Sequence, residues 1–155
     1  MLDGAVRWLV ARGRRGQWGD QTFSDQPEWV ARVGRWAAGD GLWIGERGGV
    51  PAGAMVLGAA PPHVPAVSEP EVYVQLLVTG REHAGRGVGR ALLDHARAQA
   101  AASGARLLRV DCWAGGDGSL VRYYQAAGFT ATAQFQVGDW EGQVLEQRLR
   151  SRAPA

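Results

Sequence analysis

At 155 residues the chain is the length of one domain, and a 46% hydrophobic, 21% charged composition argues against wholesale disorder. The formal net charge is only +2, and all 17 basic residues are arginines scattered along the chain, which gives nucleic-acid binding no support. No apolar run approaches the ~18–20 residues of a membrane span. The N-terminus lacks the basic and apolar blocks of a secretory signal, so a cytoplasmic protein with no membrane partner is expected.

In chain order, residues 3–13 predict a helix with Val6, Leu9 and Val10 on one face. An Arg/Gly stretch breaks it. Ser24-Asp25-Gln26-Pro27-Glu28 reads as a helix start, with a capping side chain, a first-turn proline and an acid near the positive dipole end. Trp29, Val33 and Trp36 follow at helical spacing. Segments 42–47 and 50–59 predict a hairpin turning at Gly48-Gly49. A proline-rich loop then leads to a mostly apolar strand at 72–78. A glycine-rich turn opens a helix at about 87–103, with Val88, Ala91, Leu92, His95 and Ala96 on one face. A strand at 106–113, a short helix at 120–127 and a second hairpin turning near Gly138-Asp139 complete the pattern. The expected fold is α/β: a mixed sheet with helices on its faces.

Chemistry concentrates where the apolar strand ends and the long helix opens. Around Gly85-Arg86-Gly87-Val88-Gly89-Arg90, glycines permit close backbone approach and amides converge at a helix N-terminus, which suits a phosphate or pyrophosphate. A Walker A loop is excluded because the chain has no lysine. A dinucleotide fingerprint fits Gly85 and Gly87 but meets Arg90 at its third glycine, although Asp111 lies about twenty residues on. Cys112 has no histidine near it in sequence and reads as a small buried hydrophobe rather than a nucleophile. Its isolation also leaves no disulfide and no zinc spacing, so no metal is expected. Asp117 can cap the last helix.

Arg86-Gly87-Val88-Gly89 resembles the acetyl-CoA pyrophosphate loop of the GNAT superfamily of N-acetyltransferases. Tyr124-Gln125-Ala126-Ala127-Gly128-Phe129 is similar to that superfamily's Y-x-x-x-G-F signature, and the strands around 73–78 and 108–113 follow in the right order. The resemblance covers roughly 28–149 of a single 1–155 domain. It implies a mostly antiparallel sheet with helices on both faces, and a strand that normally precedes the first helix is missing here. Homodimerisation would be one way to cover the resulting edge.

The resemblance further implies acetyl-CoA as co-substrate, with the backbone of Leu77, Val78 and Thr79 pairing with pantetheine. Ala84, Gly85, Arg86, Gly87, Val88, Gly89 and Arg90 would hold the pyrophosphate, Ala84 standing where members usually carry Arg or Gln. The chemistry implied is direct attack by a small-molecule or peptide amine. Tyr124 matches the acid that protonates the thiolate, a backbone N–H near Leu77 and Val78 would serve the oxyanion, and Glu71 could act as base through a water. Tyr73 stands where some relatives carry a glutamate. Trp18, Trp29, Trp36 and Trp140 lie on segments that would face the acceptor, with core packing the alternative for Trp29 and Trp36. Two other functions stay open: a non-catalytic CoA-binding regulatory module and a dinucleotide-binding oxidoreductase module.

Overall fold

In the computed structural model the described residues are 1–150, so positions 151–155 of the expected domain lie outside them. The helices are α1 (Leu2–Ala11), α2 (Pro27–Ala38), α3 (Val88–Ala102) and α4 (Ser119–Ala126). The strands are β1 (Leu42–Arg47), β2 (Val50–Gly58), β3 (Glu71–Thr79), β4 (Leu107–Trp113), β5 (Thr130–Val137) and β6 (Trp140–Arg148). They form a mixed sheet in the order β1-β2-β3-β4-β6-β5. The β1–β2, β4–β6 and β5–β6 ladders are antiparallel, and β3–β4 is parallel. Among the described residues no strand precedes α1, and no helix is long and apolar enough to cross a membrane.

The chain divides into two compact units. Among the described residues, one comprises Met1–Val56 and Leu76–Leu92; the other comprises Leu57–Gln75 and residues 93–150.

In the first unit, α1 buries Ala5, Val6 and Leu9, the stripe that its periodicity predicts apart from half-buried Val10. Burying such aliphatic side chains contributes roughly 1.5–3 kcal/mol each. The second helix begins differently from its sequence reading. A 3-10 turn occupies Phe23–Asp25, and the cap position is Gln26, whose side chain makes no capping bond. Ser24 is drawn instead to Asp3: its amide and hydroxyl donate to that carboxylate at 3.1 and 2.6 Å. Those bonds hold the Asp3 carboxyl below its ordinary range. A long-range acceptor has outcompeted the local cap. Trp29, Val33 and Trp36 are only half-buried on α2. An edge-to-face chain runs Trp18–Phe23–Trp29–Trp36, with centroids 5.5, 4.5 and 6.3 Å apart.

The first hairpin turns where expected, with Gly48 and Gly49 at φ 57° and 78°, the pair of positive values that a two-residue hairpin turn demands. Gly45 and Gly53 face each other across that hairpin. They make a trough for the first turn of α3. A β-carbon on Gly53 would stand 2.7 Å from Val88 Cγ1 and 3.0 Å from Leu92 Cδ1. The stripe that α3 buries includes Val88, Leu92, Leu93, Ala96 and Ala100, while Ala91 is exposed and His95 half-buried. The apolar face is therefore centred between Leu92 and Leu93, rotated from the sequence expectation.

In the second unit Leu107, Leu108, Val110 and Cys112 of β4 and Val144 and Leu145 of β6 are buried core. Glycine again admits a close neighbour on the last hairpin. Phe135 pairs with Gly142 across β5 and β6, and its ring occupies the space a β-carbon on Gly142 would fill.

Candidate active site

The phosphate-loop candidates lie in the first unit. Gly80 donates to Ala52 C=O at 2.8 Å, fixing the end of β3. Gly85 and Gly87 take φ 71° and 79° with open space where a β-carbon would point. The hydrogen bond from Ala91 N–H to Gly87 C=O (3.0 Å) begins α3. Helix geometry therefore leaves the N–H groups of Val88, Gly89 and Arg90 without intrahelical acceptors. Ala84, Arg86 and Arg90 are exposed. A bare, positively polarised turn with arginines at its rim fits a diphosphate. Gly53→Val is expected to lift the first turn of α3 from its seat, costing about 1–3 kcal/mol. It should weaken acetyl-CoA binding more than equal destabilisation by a substitution elsewhere; calorimetric titration checks this.

Leu77 and Thr79 are half-buried and Val78 is buried. The β3–β4 ladder pairs Glu71, Val72, Tyr73 and Val74 with Leu107, Leu108, Arg109 and Val110. β3 continues beyond that ladder to Thr79.

Tyr124 is placed by a local device. Phe129 N–H donates to Tyr124 C=O and Gly128 N–H to Gln125 C=O, both at 3.0 Å, with Gly128 at φ 98°. These are the bonds of a Schellman ending, and the Tyr124–Phe129 ring contact (5.8 Å) is its apolar clasp. The Y-x-x-x-G-F spacing is thus the spacing that stops a helix and fixes its tyrosine. Arg97, which sequence reasoning missed, secures the same end by donating to Ala127 C=O, Gln147 and Asp94. Tyr124 is buried, which pushes its phenol well above the ordinary range, with Cys112, Tyr123 and Asp111 adding to the effect. Among the described residues its hydroxyl has no hydrogen-bond partner.

Glu71 does not stand free for proton transfer. Both its oxygens accept from Arg109, at 2.5 and 2.9 Å, and Arg109 also donates to Pro65 C=O at 2.9 Å. A carboxylate held bidentately by a buried guanidinium is committed to that cation. Sequence reading could not see the pairing, because 38 positions separate the partners. Beside it Tyr73, fully buried, donates to Asp111 Oδ2 at 2.6 Å. In the sequence Asp111 stands out only by lying about twenty residues after the dinucleotide-like glycines. Burial raises its carboxyl above the ordinary range, opposed by the Tyr73 hydrogen bond and by His63. Burial, aided by Asp111, pushes the Cys112 thiol up to about 12, which suits packing rather than nucleophilic attack. Asp117 accepts from Ser119 N–H at 3.0 Å at the start of α4.

Comparison with known proteins gives the family. The acetyltransferase (GNAT) family profile matches residues 5–129, starting earlier and stopping sooner than the resemblance read from the sequence. No curated protein matches the chain. Among solved structures, a protein from Desulfovibrio desulfuricans assigned to the GNAT family is 18% identical, with TM-score 0.68, 95% of this chain covered and 90% of that one. The yncA protein of Salmonella typhimurium, solved with its cofactor acetyl-CoA, is 20% identical, with TM-score 0.59 and 97% and 88% covered. The ribosomal-protein-S18-alanine N-acetyltransferase of Escherichia coli is 15% identical, with TM-score 0.59 and 81% and 79% covered. The chain belongs to the GNAT acetyltransferase family.

Proposed function

We propose that this chain moves an acetyl group from acetyl-CoA to a primary amine by direct attack, in the cytoplasm. The observation that carries the reading is Tyr124, fixed at the end of α4 with a hydroxyl that makes no hydrogen bond among the described residues and so is available to an incoming group. A phenol held neutral by burial is a proton donor suited to a departing thiolate. Acetyl-CoA supplies the activated acyl carbon. The N–H groups at 85–90 bind its diphosphate, while the backbone of Leu77, Val78 and Thr79, beyond the end of the β3–β4 ladder, aligns the pantetheine and offers an N–H to the oxyanion. Glu71 holds Arg109 in place rather than collecting the substrate proton.

Mixing the protein with acetyl-CoA and a panel of primary amines, with thiol release followed continuously, tests the proposal. Amine-dependent thiol release is expected. Saturable acetyl-CoA binding without thiol release from any amine would instead indicate a CoA-binding module.

A further inference from the structure

A transferase of this kind needs a group that receives the amine's proton, and the pairing of Glu71 with Arg109 leaves that role open. On the same two strands Asp111 is half-buried, with Oδ2 fixed by Tyr73. Among the described residues its Oδ1 has no partner. The surroundings are aromatic. His63, exposed on the loop before β3, stabilises the Asp111 charge, and its ring lies 4.9 Å from that of Phe135 at a tilt of 38°. Phe135 packs on the Val64–Tyr73–Val144 core and lies 5.7 Å from Trp140. The Arg109 cation beside this group is already matched by Glu71. A carboxylate with one free oxygen, rimmed by rings, suits an ammonium carrying a flat apolar tail.

Resting on the transferase reading, we propose that Asp111, positioned by Tyr73, binds the acceptor ammonium and takes its proton, with His63, Phe135 and Trp140 receiving the tail of an arylalkyl primary amine. One N–H bond of the ammonium breaks and its proton passes to Asp111 Oδ1. The freed nitrogen lone pair forms the bond to the thioester carbon. The C–S bond breaks with its electron pair on sulfur, and Tyr124 supplies the thiol proton. The second N–H proton restores the Tyr124 phenol, and Asp111 returns its proton to solvent. Desolvation keeps Asp111 a stronger base than an exposed carboxylate.

The test is calorimetric titration of 2-phenylethylamine and n-butylamine into the protein saturated with CoA, which reads binding without turnover. The arylalkylamine should bind at one site, about fivefold or more tighter than n-butylamine. Asp111→Asn should weaken it by about tenfold or more while leaving CoA affinity unchanged, which also shows that the variant folds. His63→Ala, at an exposed position, should shrink the preference over n-butylamine. In the thiol-release assay Tyr73→Phe removes a bond that lowers the Asp111 pKa, so the acidic limb of kcat/KM should move to higher pH. The other groups acting on Asp111 or beside it (His63, Arg109 with Glu71, Cys112 and Tyr124) are unchanged in that variant. Equal amine binding by wild type and Asp111→Asn, or no preference for the aryl tail, overturns the site. Undiminished thiol release by Asp111→Asn overturns its proton role while leaving the transferase reading intact. Amine binding with no thiol release from any amine removes the transferase reading and, with it, the proton role.

Discussion

Tyr124→Phe is expected to lower kcat by about 10²–10⁴-fold, the range of a lost general acid, with acetyl-CoA affinity nearly unchanged. The ring stays packed against Phe129 and Tyr123 at 5.8 and 5.2 Å, so only the hydroxyl is lost. That hydroxyl has no hydrogen-bond partner among the described residues, so its removal breaks no bond within them. Stability should therefore hold while turnover collapses. Rapid-mixing kinetics alongside thermal unfolding separates the two, and turnover near wild type would take the acid role from Tyr124.

The second large effect is on stability. Arg109→Ala should cost about 3–5 kcal/mol, because it strands a buried partner charge. The Arg109 side chain is 4% exposed and that of Glu71 16%, so water cannot replace the lost bonds cheaply. The Pro65 carbonyl loses its donor as well. For a chain of this size the loss corresponds to a drop in Tm of roughly 10 °C. The double substitution Arg109→Met with Glu71→Leu should recover most of it, since replacing both charges leaves neither one orphaned. Denaturant unfolding of the single and double variants reads the coupling. A loss below about 1 kcal/mol for the single variant would class the pair with weak surface ion pairs.

Whatever depends on neighbours along the chain was legible in the sequence. The Gly48-Gly49 turn, the strand through Val74 and the glycine turn that opens α3 each carry a local signal. So does the tyrosine fixed by Gly128, because a Schellman ending is written within six consecutive residues. What failed depended on partners far apart in sequence. The helix start read at 24–28 lacks its capping side chain, and Ser24 within it is held by Asp3, 21 positions away. Glu71 looked like a strand-end base, yet strand pairing brings Arg109 to its carboxylate. Asp111 gained its place only through Tyr73, which strand alternation alone could not reveal. Ala91 fits the helical period as well as Leu93 does; only the glycine trough at Gly45 and Gly53 decides how α3 is rotated.

The amides at 85–90 are proposed to grip the diphosphate of acetyl-CoA beside the part of β3 that extends past its ladder with β4. A ¹H–¹⁵N correlation spectrum recorded during titration with CoA tests it residue by residue. Saturable shifts are expected, largest at Gly85, Arg86, Gly87, Val88, Gly89 and Arg90, with a second group at Leu77, Val78 and Thr79. Saturation with those amides unmoved and the shifts concentrated elsewhere would contradict it.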